Sequence, residues 1–218
     1  MTYGSFLTLK SFRGGLMSKK QEKFQKRHSL ILNTAEQIIK DKGYYAFKMS
    51  DVSDYLDIAK GTLYNHFHSK EELVFNLIYP KMSQSTTTLE GIINKKVDTI
   101  TKIKEIIRAT LESSYFQFVL LSFPDMAALF QEKNSSKLEK VQNKMIECFK
   151  MVIEQGKREQ MLHDDISTAY TAHQLLIISD PLIYSLLVQN KKMTHEDFIA
   201  HTTRNFLFGI VKDITQIQ

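Results

Sequence analysis

The stretch at residues 50–72, SDVSDYLDIAKGTLYNHFHSKEE, constrains the fold more than any other part of the chain. Val52 and Leu56 stand four residues apart, which gives a short helix one apolar stripe. Asp57 follows, and aspartate tolerates the left-handed conformation of a tight turn. Leu63 and Phe67 repeat the spacing of four, so we expect a second short helix directly after the turn. The pattern predicts a helix-turn-helix.

The second short helix has an outward face of hydrogen-bonding side chains and no carboxylate. On that face we place Lys60, Gly61, Thr62, Tyr64, Asn65 and His66. Such a face suits an anionic partner with hydrogen-bonding edges, and the major groove of DNA is one. Lys and Asn can bond base edges there, while Thr, Tyr and His can hold phosphates. Gly61 would let the helix approach the duplex closely.

The residues that flank the two helices extend the predicted DNA-binding face. Ser69-Lys70-Glu71-Glu72 is a capping box that starts a further helix. Because free N–H groups at a helix N-terminus bind phosphate, Lys70 is predicted to clamp the DNA backbone rather than to read bases. Lys48 and Ser50, at the start of the first short helix, complete the predicted DNA-binding residues.

These residues carry a resemblance to a known family. The run Lys60-Gly61-Thr62-Leu63-Tyr64-x-His66-Phe67-x-Ser69-Lys70-Glu71-x-Leu73 resembles the signature of the TetR family of bacterial transcriptional regulators. The resemblance covers about residues 24–85, including Ala35 and Gly43-Tyr44, while the remainder is similar only in length and helical character. The chain departs from the family pattern at Lys48, where Thr is usual, and at Asp57, where Gly is usual.

The fold class expected from the sequence is all-α, because no stretch alternates with a period of two for long. With the resemblance, we expect an N-terminal three-helix DNA-binding domain with the helix-turn-helix, at residues 25–85 with the motif at 48–67. A larger C-terminal helical domain for ligand binding and dimerisation would occupy residues 86–218. Residues 1–24 are expected to be a disordered or basic extension, and a true start at Met17 is one hypothesis. Residues 18–23, with Lys26 and Arg27, then form a basic arm that either touches phosphates or keeps the terminus soluble.

Charge supports an anionic partner. The formal net charge is +5, and residues 1–81 hold 13 Lys and Arg against 8 Asp and Glu, while the rest of the chain holds 16 of each. All the excess positive charge therefore lies in the segment that contains the motif. A solvated surface with random charge placement could produce this, but together with the motif it favours nucleic-acid binding.

Helix boundaries after the motif follow from caps and prolines. The fourth helix is expected to bend or end at Pro80, because proline lacks an N–H and collides with the preceding turn. The further expected helices are Met82 to Lys96, Thr99 to Ser122 capped by Asp98, Met126 to Gln131 after Pro124, Lys137 to about Lys157, Ile166 to Ser179 after Asp164 or Asp165, one restarting at Pro181, and a last one capped at Thr194.

Two apolar sets lie in the C-terminal part, and each has a simpler interpretation as core. The first could line a ligand pocket and consists of Tyr79, Met82, Tyr115, Phe116, Phe123, Met126, Phe130, Met145 and Phe149. The second could form a four-helix dimer interface and consists of Leu175, Leu176, Ile183, Leu186, Leu187, Phe198, Phe206, Leu207 and Ile210. Both assignments are implied by the resemblance.

The resemblance implies a homodimeric repressor, released from a palindromic operator in double-stranded DNA by a small, apolar effector. The alternative is a DNA-binding protein of the same fold with an architectural or activator role and no effector. An all-α enzyme is a third class, but no Gly-rich phosphate loop or nucleophile motif is present. No metal and no cofactor are assigned, since His163-Asp164-Asp165 is better explained as a helix start. The single cysteine, Cys148, and the lack of a long apolar run favour a cytoplasmic protein without a membrane span.

Overall fold

The computed structural model describes residues 18–122, 135–178 and 181–217. The expected extension at residues 1–24 lies outside these ranges up to residue 17, and the expected helix at residues 126–131 lies outside them entirely. The described helices are α1 Lys19–Ala46, α2 Met49–Tyr55, α3 Lys60–Tyr64, α4 Lys70–Ile93, α5 Thr99–Glu112, α6 Ser114–Ser122, α7 Ser135–Arg158, α8 Thr168–Ile177, α9 Pro181–Tyr184 and α10 His195–Phe208. A π-helical segment, Ser185–Gln189, follows α9. Within the described ranges the only β-pairing is a single bridge between Leu162 and Val211, so the all-α class is confirmed.

Helix α1 carries the apolar stripe that supports the helix-turn-helix. Ile31, Ala35 and Ile39 are fully buried. The helix begins earlier than expected, because Ser18 and Gln21 form a capping box and turn the predicted basic arm into the first turns of α1. Gly43 interrupts it with φ at 79°, a conformation that a residue with a Cβ rarely adopts.

The helix-turn-helix has the predicted form. Val52, Leu63 and Phe67 are buried, and they anchor α2 and α3 to the core. Asp57 has φ at 49°, so the predicted left-handed turn after Leu56 is confirmed. The two helices are thus fixed by side chains from one face, and the other face of α3 stays open.

Helix α4 runs through Pro80 to Ile93, so of the two expected outcomes, a bend or an end at the proline, the end is wrong. Leu77, Ile78 and Met82 are buried on both sides of the proline. The packing of these side chains keeps the chain helical at Pro80, where the missing backbone hydrogen bond alone would favour the end of the helix. The expected domain boundary after residue 85 therefore lies inside a continuous helix.

The long helix expected from Thr99 to Ser122 is two helices, α5 and α6. Asp98 caps α5 as predicted, with its carboxylate accepting from the Thr101 N–H. Ser113 separates the two helices with an extended backbone. Its hydroxyl donates to the Thr110 carbonyl at 2.8 Å and accepts from the Phe116 N–H at 3.0 Å, so a side chain replaces helical hydrogen bonds.

Of the remaining helix starts, two differ from expectation by a few residues and two agree with it. Helix α7 begins at Ser135. Helix α8 is capped by Ser167 rather than by Asp164 or Asp165. The predicted starts at Pro181 and after Thr194 are confirmed.

Cys148 is a buried free thiol, as its apolar neighbours predict, and burial raises the pKa of that thiol. None of the described helices is by itself long and apolar enough to cross a membrane; only Thr168–Ile177 and Pro181–Gln189 taken together, bent by 41°, have the length and composition.

Candidate DNA-binding face and effector cavity

The open face of α3 is formed by residues on either side of its buried anchors. Leu63 is 1% exposed and Phe67 is fully buried, and their fixed position turns the other side of α3 to solvent. Lys60, Gly61, Tyr64 and Asn65 are exposed there, and Thr62 is half-buried. This exposed part of α3, with Lys60, Gly61, Thr62, Tyr64 and Asn65, is called the α3 face below.

Gly61 leaves a gap in the α3 face. A Cβ placed on Gly61 would have no protein atom within 4 Å. Among the described residues, none therefore requires a glycine at this position.

The start of α2 adjoins the α3 face. A shallow cleft of about 270 Å³ is lined by Lys48 and Ser50 of α2 and by Lys60 and Tyr64 of α3, so the structure brings these predicted residues together. Asp51 lies next to them. Burial acts to raise the pKa of Asp51, but hydrogen bonds from the Lys42 ammonium at 2.5 Å and the Lys48 N–H at 2.6 Å outweigh it and lower that pKa. The nearby carboxylate is thus neutralised by a partner.

His66 does not lie on the open face, which corrects its predicted orientation. Its ring stacks on Phe24 of α1 with centroids 4.1 Å apart, and the His28 ring lies 5.7 Å away. Burial is the main cause that lowers the pKa of His66, and the charges of His28 and Arg27 add to it. The spacing of Phe24 and His28, one helical turn apart on α1, was the sequence signal for this cluster.

Lys70 is also placed differently from the prediction. Its Nζ donates to the Tyr44 carbonyl oxygen at 2.6 Å and lies 4.0 Å from the centroid of the Tyr44 ring. Ser69 caps α4 as predicted, accepting from the Glu72 N–H at 3.1 Å. Lys70 therefore ties α4 to α1 instead of extending its ammonium toward a phosphate.

A cavity of about 650 Å³ lies between α4, α5, α6, α7 and α8. Of the predicted pocket residues, five line it: Met82, Tyr115, Phe116, Met145 and Phe149. Tyr79 does not, because its ring stacks on Phe75 at 5.2 Å. Phe123, Met126 and Phe130 lie outside the described residues. Sequence reasoning missed the polar part of the wall, which includes Gln84, Ser85, Thr88, Thr110, Glu112 and Gln142.

The predicted dimer residues divide into two groups. Buried inside the subunit, and so unavailable to a partner, are Leu175, Phe198, Leu207 and Ile210. Ile183 and Leu186 are about half exposed at 51% and 48%, while Leu176, Leu187 and Phe206 are partly covered. Sequence reasoning missed Leu182, which is 52% exposed beside Ile183. The exposed apolar patch is thus Leu182, Ile183 and Leu186, and it lies on α9 and the π-helical segment.

An ion-pair cluster joins α5 to α10. Glu112, His195 and Glu196 place possible ligand atoms within 4.8 Å of one another, a spacing that a metal ion could use. Arg108 instead bonds Glu196 through both guanidinium nitrogens, at 3.0 and 2.8 Å, and Glu112 at 2.9 Å. These bonds raise the pKa of Arg108, first through Glu196 and then through Glu112. One guanidinium is thus shared by two carboxylates.

Known proteins resemble this chain in sequence and in fold. The model of the bacterial regulatory proteins of the tetR family matches residues 31–77. The HTH-type transcriptional regulator UidR of Escherichia coli K12 is 26% identical over 209 residues, which cover 90% of this chain and 98% of UidR. The ketosteroid transcriptional regulator KstR2 of Mycobacterium tuberculosis superposes with a TM-score of 0.71 at 19% identity, covering 86% of this chain and 96% of KstR2. AibR, solved with isovaleryl coenzyme A and operator DNA, has a TM-score of 0.63 at 16% identity over 81% of this chain and 96% of AibR.

The matched segment contains the helix-turn-helix and the start of α4, the part in which the residues of the family signature lie. These relatives are transcriptional regulators and not enzymes. Residues 31–77 thus match the TetR family of bacterial regulatory proteins in sequence, and the described fold is that of solved transcriptional regulators.

Proposed function

We propose that the protein is a repressor that binds a two-fold symmetric operator as a homodimer and is released by a small effector in the cavity between α4 and α8. The DNA-binding unit would be residues 25–85, and the effector-binding and dimerisation unit residues 86–218. The single observation that carries the DNA-binding part is the α3 face, which presents Lys60, Tyr64 and Asn65 around an open Gly61 with no carboxylate on the helix.

The exposed apolar patch supports a dimer. One short recognition helix reads too few base pairs for a specific site, whereas two related by a two-fold axis occupy half-sites about one helical turn apart. Leu182, Ile183 and Leu186 offer the apolar surface that such an isologous contact needs.

Two contacts support coupling between the cavity and the DNA-binding unit. Helix α4 contacts α1, and Leu73 and Val74 are buried in its first half. Its second half lines the cavity through Met82 and Leu89. The Lys81 ammonium pairs with Glu36 of α1 at 3.2 Å. A ligand that displaces α4 would therefore move the α3 face as part of the same unit, and a coupling of about 1–3 kcal/mol weakens DNA binding by roughly 5- to 150-fold.

Operator selection tests this proposal. The full-length protein is incubated with a pool of random duplexes, and bound sequences are amplified over several rounds. We expect a single two-fold symmetric site, and we expect the Lys60→Ala and Asn65→Ala double variant to enrich none. Lys95→Ala and Asn190→Ala, far from α3, form the matched control. Failure of the unmodified protein to enrich any sequence would refute specific DNA binding.

A reporter gene separates repression from the alternative role. With the selected site placed across a promoter, the protein should lower expression, and an effector that stabilises the protein should restore it. Increased expression would identify an activator instead, and dispersed binding with no effector response would favour the architectural role.

A further inference from the structure

We infer that the cavity accepts an amphiphile whose polar end donates hydrogen bonds and carries no negative charge, an alkylamine being the simplest example. This inference rests on the proposed effector-binding function and names the chemical class of the effector. It follows from the distribution of apolar surface, lone pairs and charge around the cavity wall.

One side of the wall is hydrocarbon. Met82, Phe116 and Phe149 are at most 3% exposed and line the cavity with their side chains. Such a wall fits a chain or ring without hydrogen-bonding groups, because water confined against it would lack partners.

Three hydroxyl groups of the wall have already used their hydrogen atoms. Ser85 donates to the Lys81 carbonyl at 3.1 Å, Thr88 to the Gln84 carbonyl at 3.1 Å, and Thr110 to the Ile106 carbonyl at 2.8 Å. A hydroxyl has one hydrogen and two lone pairs, so each of these groups can offer only an acceptor to a ligand. The hydrogen-bond donors of a ligand would therefore find acceptor oxygens at this wall.

Tyr115 adds one adaptable group. Burial raises the pKa of its hydroxyl, so the group stays protonated. Among the residues that the structure describes, no partner bonds this hydroxyl, and it can therefore donate to a ligand or accept from one.

The charged group on the described part of the cavity wall is a carboxylate. Glu112 is the only charged side chain among the described lining residues, none of which is Lys, Arg or His. Arg108, which pairs with Glu112, also pairs with Glu196, so two carboxylates share one guanidinium. An anionic ligand would lose its hydration here without meeting a free cation, whereas an ammonium would gain a carboxylate partner.

A matched series of ligands tests the inference. Decylamine, decanol, decanoate and decanoyl coenzyme A share one chain length and differ in the polar end. Calorimetric titration of the full-length protein, below the concentration at which each compound forms micelles, should rank decylamine first. We expect decanoate to bind at least about tenfold more weakly, since a charge-assisted hydrogen bond is replaced by repulsion.

Variants show whether binding occurs at the cavity. Glu112→Gln should reduce the preference for decylamine over decanoate by about fivefold or more. Glu105→Gln is the matched control on the same helix, because Glu105 pairs with Lys95 away from the cavity. It should leave the preference unchanged.

The outcomes separate this inference from the proposed function. Binding of decanoate as tight as that of decylamine, or no binding by any of the four compounds, would overturn the assigned ligand class. An amine preference that persists in Glu112→Gln would also overturn it, because the charge would not be the cause. If decylamine binds as expected but leaves operator affinity unchanged, the ligand class stands and effector-driven release fails.

Discussion

The ammonium of Lys70 lies 2.6 Å from the carbonyl oxygen of Tyr44 and 4.0 Å from the centre of the Tyr44 ring. Tyr44 follows the interruption of α1 at Gly43, and its carbonyl also accepts the Phe47 N–H at 3.2 Å. Lys70 supplies a second, charged donor to this carbonyl and fixes the first turn of α4 against the end of α1. The contact makes α1 and α4 one support for the helix-turn-helix between them.

Replacing Lys70 with Met should therefore lower the free energy of unfolding rather than remove a direct contact with DNA. We expect Lys70→Met to lower the free energy of unfolding by about 1–2 kcal/mol, because the Tyr44 carbonyl loses a half-buried charged donor. Lys60→Met, on the exposed α3 face, should change it by less than about 0.5 kcal/mol. Urea denaturation of the two variants measures the difference, and equal stabilities would show that the Lys70–Tyr44 contact contributes nothing.

Gly61→Ala should separate DNA binding from folding. The added Cβ meets no protein atom and alanine is the better helix former, so stability should hold or rise by up to about 1 kcal/mol. Affinity for the selected operator should fall by about tenfold, a loss of about 1.4 kcal/mol, since the methyl group occupies the space that the duplex needs.

The control for this prediction is Gly156→Ala in α7. There a Cβ would stand 2.6 Å from Leu162 and Thr99 side-chain atoms, so the variant should be destabilised by about 1–3 kcal/mol. An unchanged operator affinity of the folded Gly61→Ala protein would contradict the close approach of α3 to DNA.

Stability should fall as pH decreases below about 6.5 because of the His28 and His66 cluster. Burial lowers the pKa of both rings in the folded protein, although the Glu72 charge partly offsets this at His28. Near and below the unfolded pKa, the unfolded chain then binds more protons than the native one. The free energy of unfolding is therefore highest above the unfolded pKa and decreases as pH falls through that value. His66→Phe, which keeps a ring against Phe24, should flatten this dependence in urea melts taken at successive pH values.

The matched control is His201→Phe, because His201 lies exposed on α10 outside the cluster. A His66→Phe protein with the same pH dependence as His201→Phe would rule out the cluster as its origin.

The exposed apolar patch should determine the oligomeric state. Leu186→Asp, at a side chain that is 48% exposed, should convert a dimer to a folded monomer in sedimentation velocity. Leu207→Asp should instead unfold the subunit, because Leu207 is fully buried and an unpaired carboxylate would be placed in the core. A folded Leu186→Asp protein that remains dimeric would show that the dimer interface lies outside this patch.

Local signals in the sequence predicted the parts of the fold that depend on neighbours in the chain. Asp98 and Thr194 cap their helices through atoms three residues away, and Asp57 adopts a turn conformation set by its own side chain. The helix-turn-helix was predictable for the same reason. Its anchors and its open face alternate within a few residues.

The misplaced residues depend on contacts between distant parts of the chain. Lys70 and Tyr44 are 26 positions apart, and the stacking partner of His66 lies on α1. Pro80 remains helical because tertiary packing outweighs a local preference. Apolar spacing also cannot say whether a side chain faces its own core or a second subunit, and so Leu207 and Leu186 were grouped together.

The affinity ratio between the selected operator and a scrambled duplex of the same composition tests the central claim most directly. Fluorescence anisotropy at one fixed salt concentration gives both constants for the full-length protein. A sequence-specific regulator that uses the α3 face should prefer the operator by about a thousandfold or more, and Asn65→Ala should reduce that ratio by the equivalent of about 1–3 kcal/mol. Equal affinities for the two duplexes, or a ratio that Asn65→Ala leaves unchanged, would contradict the account.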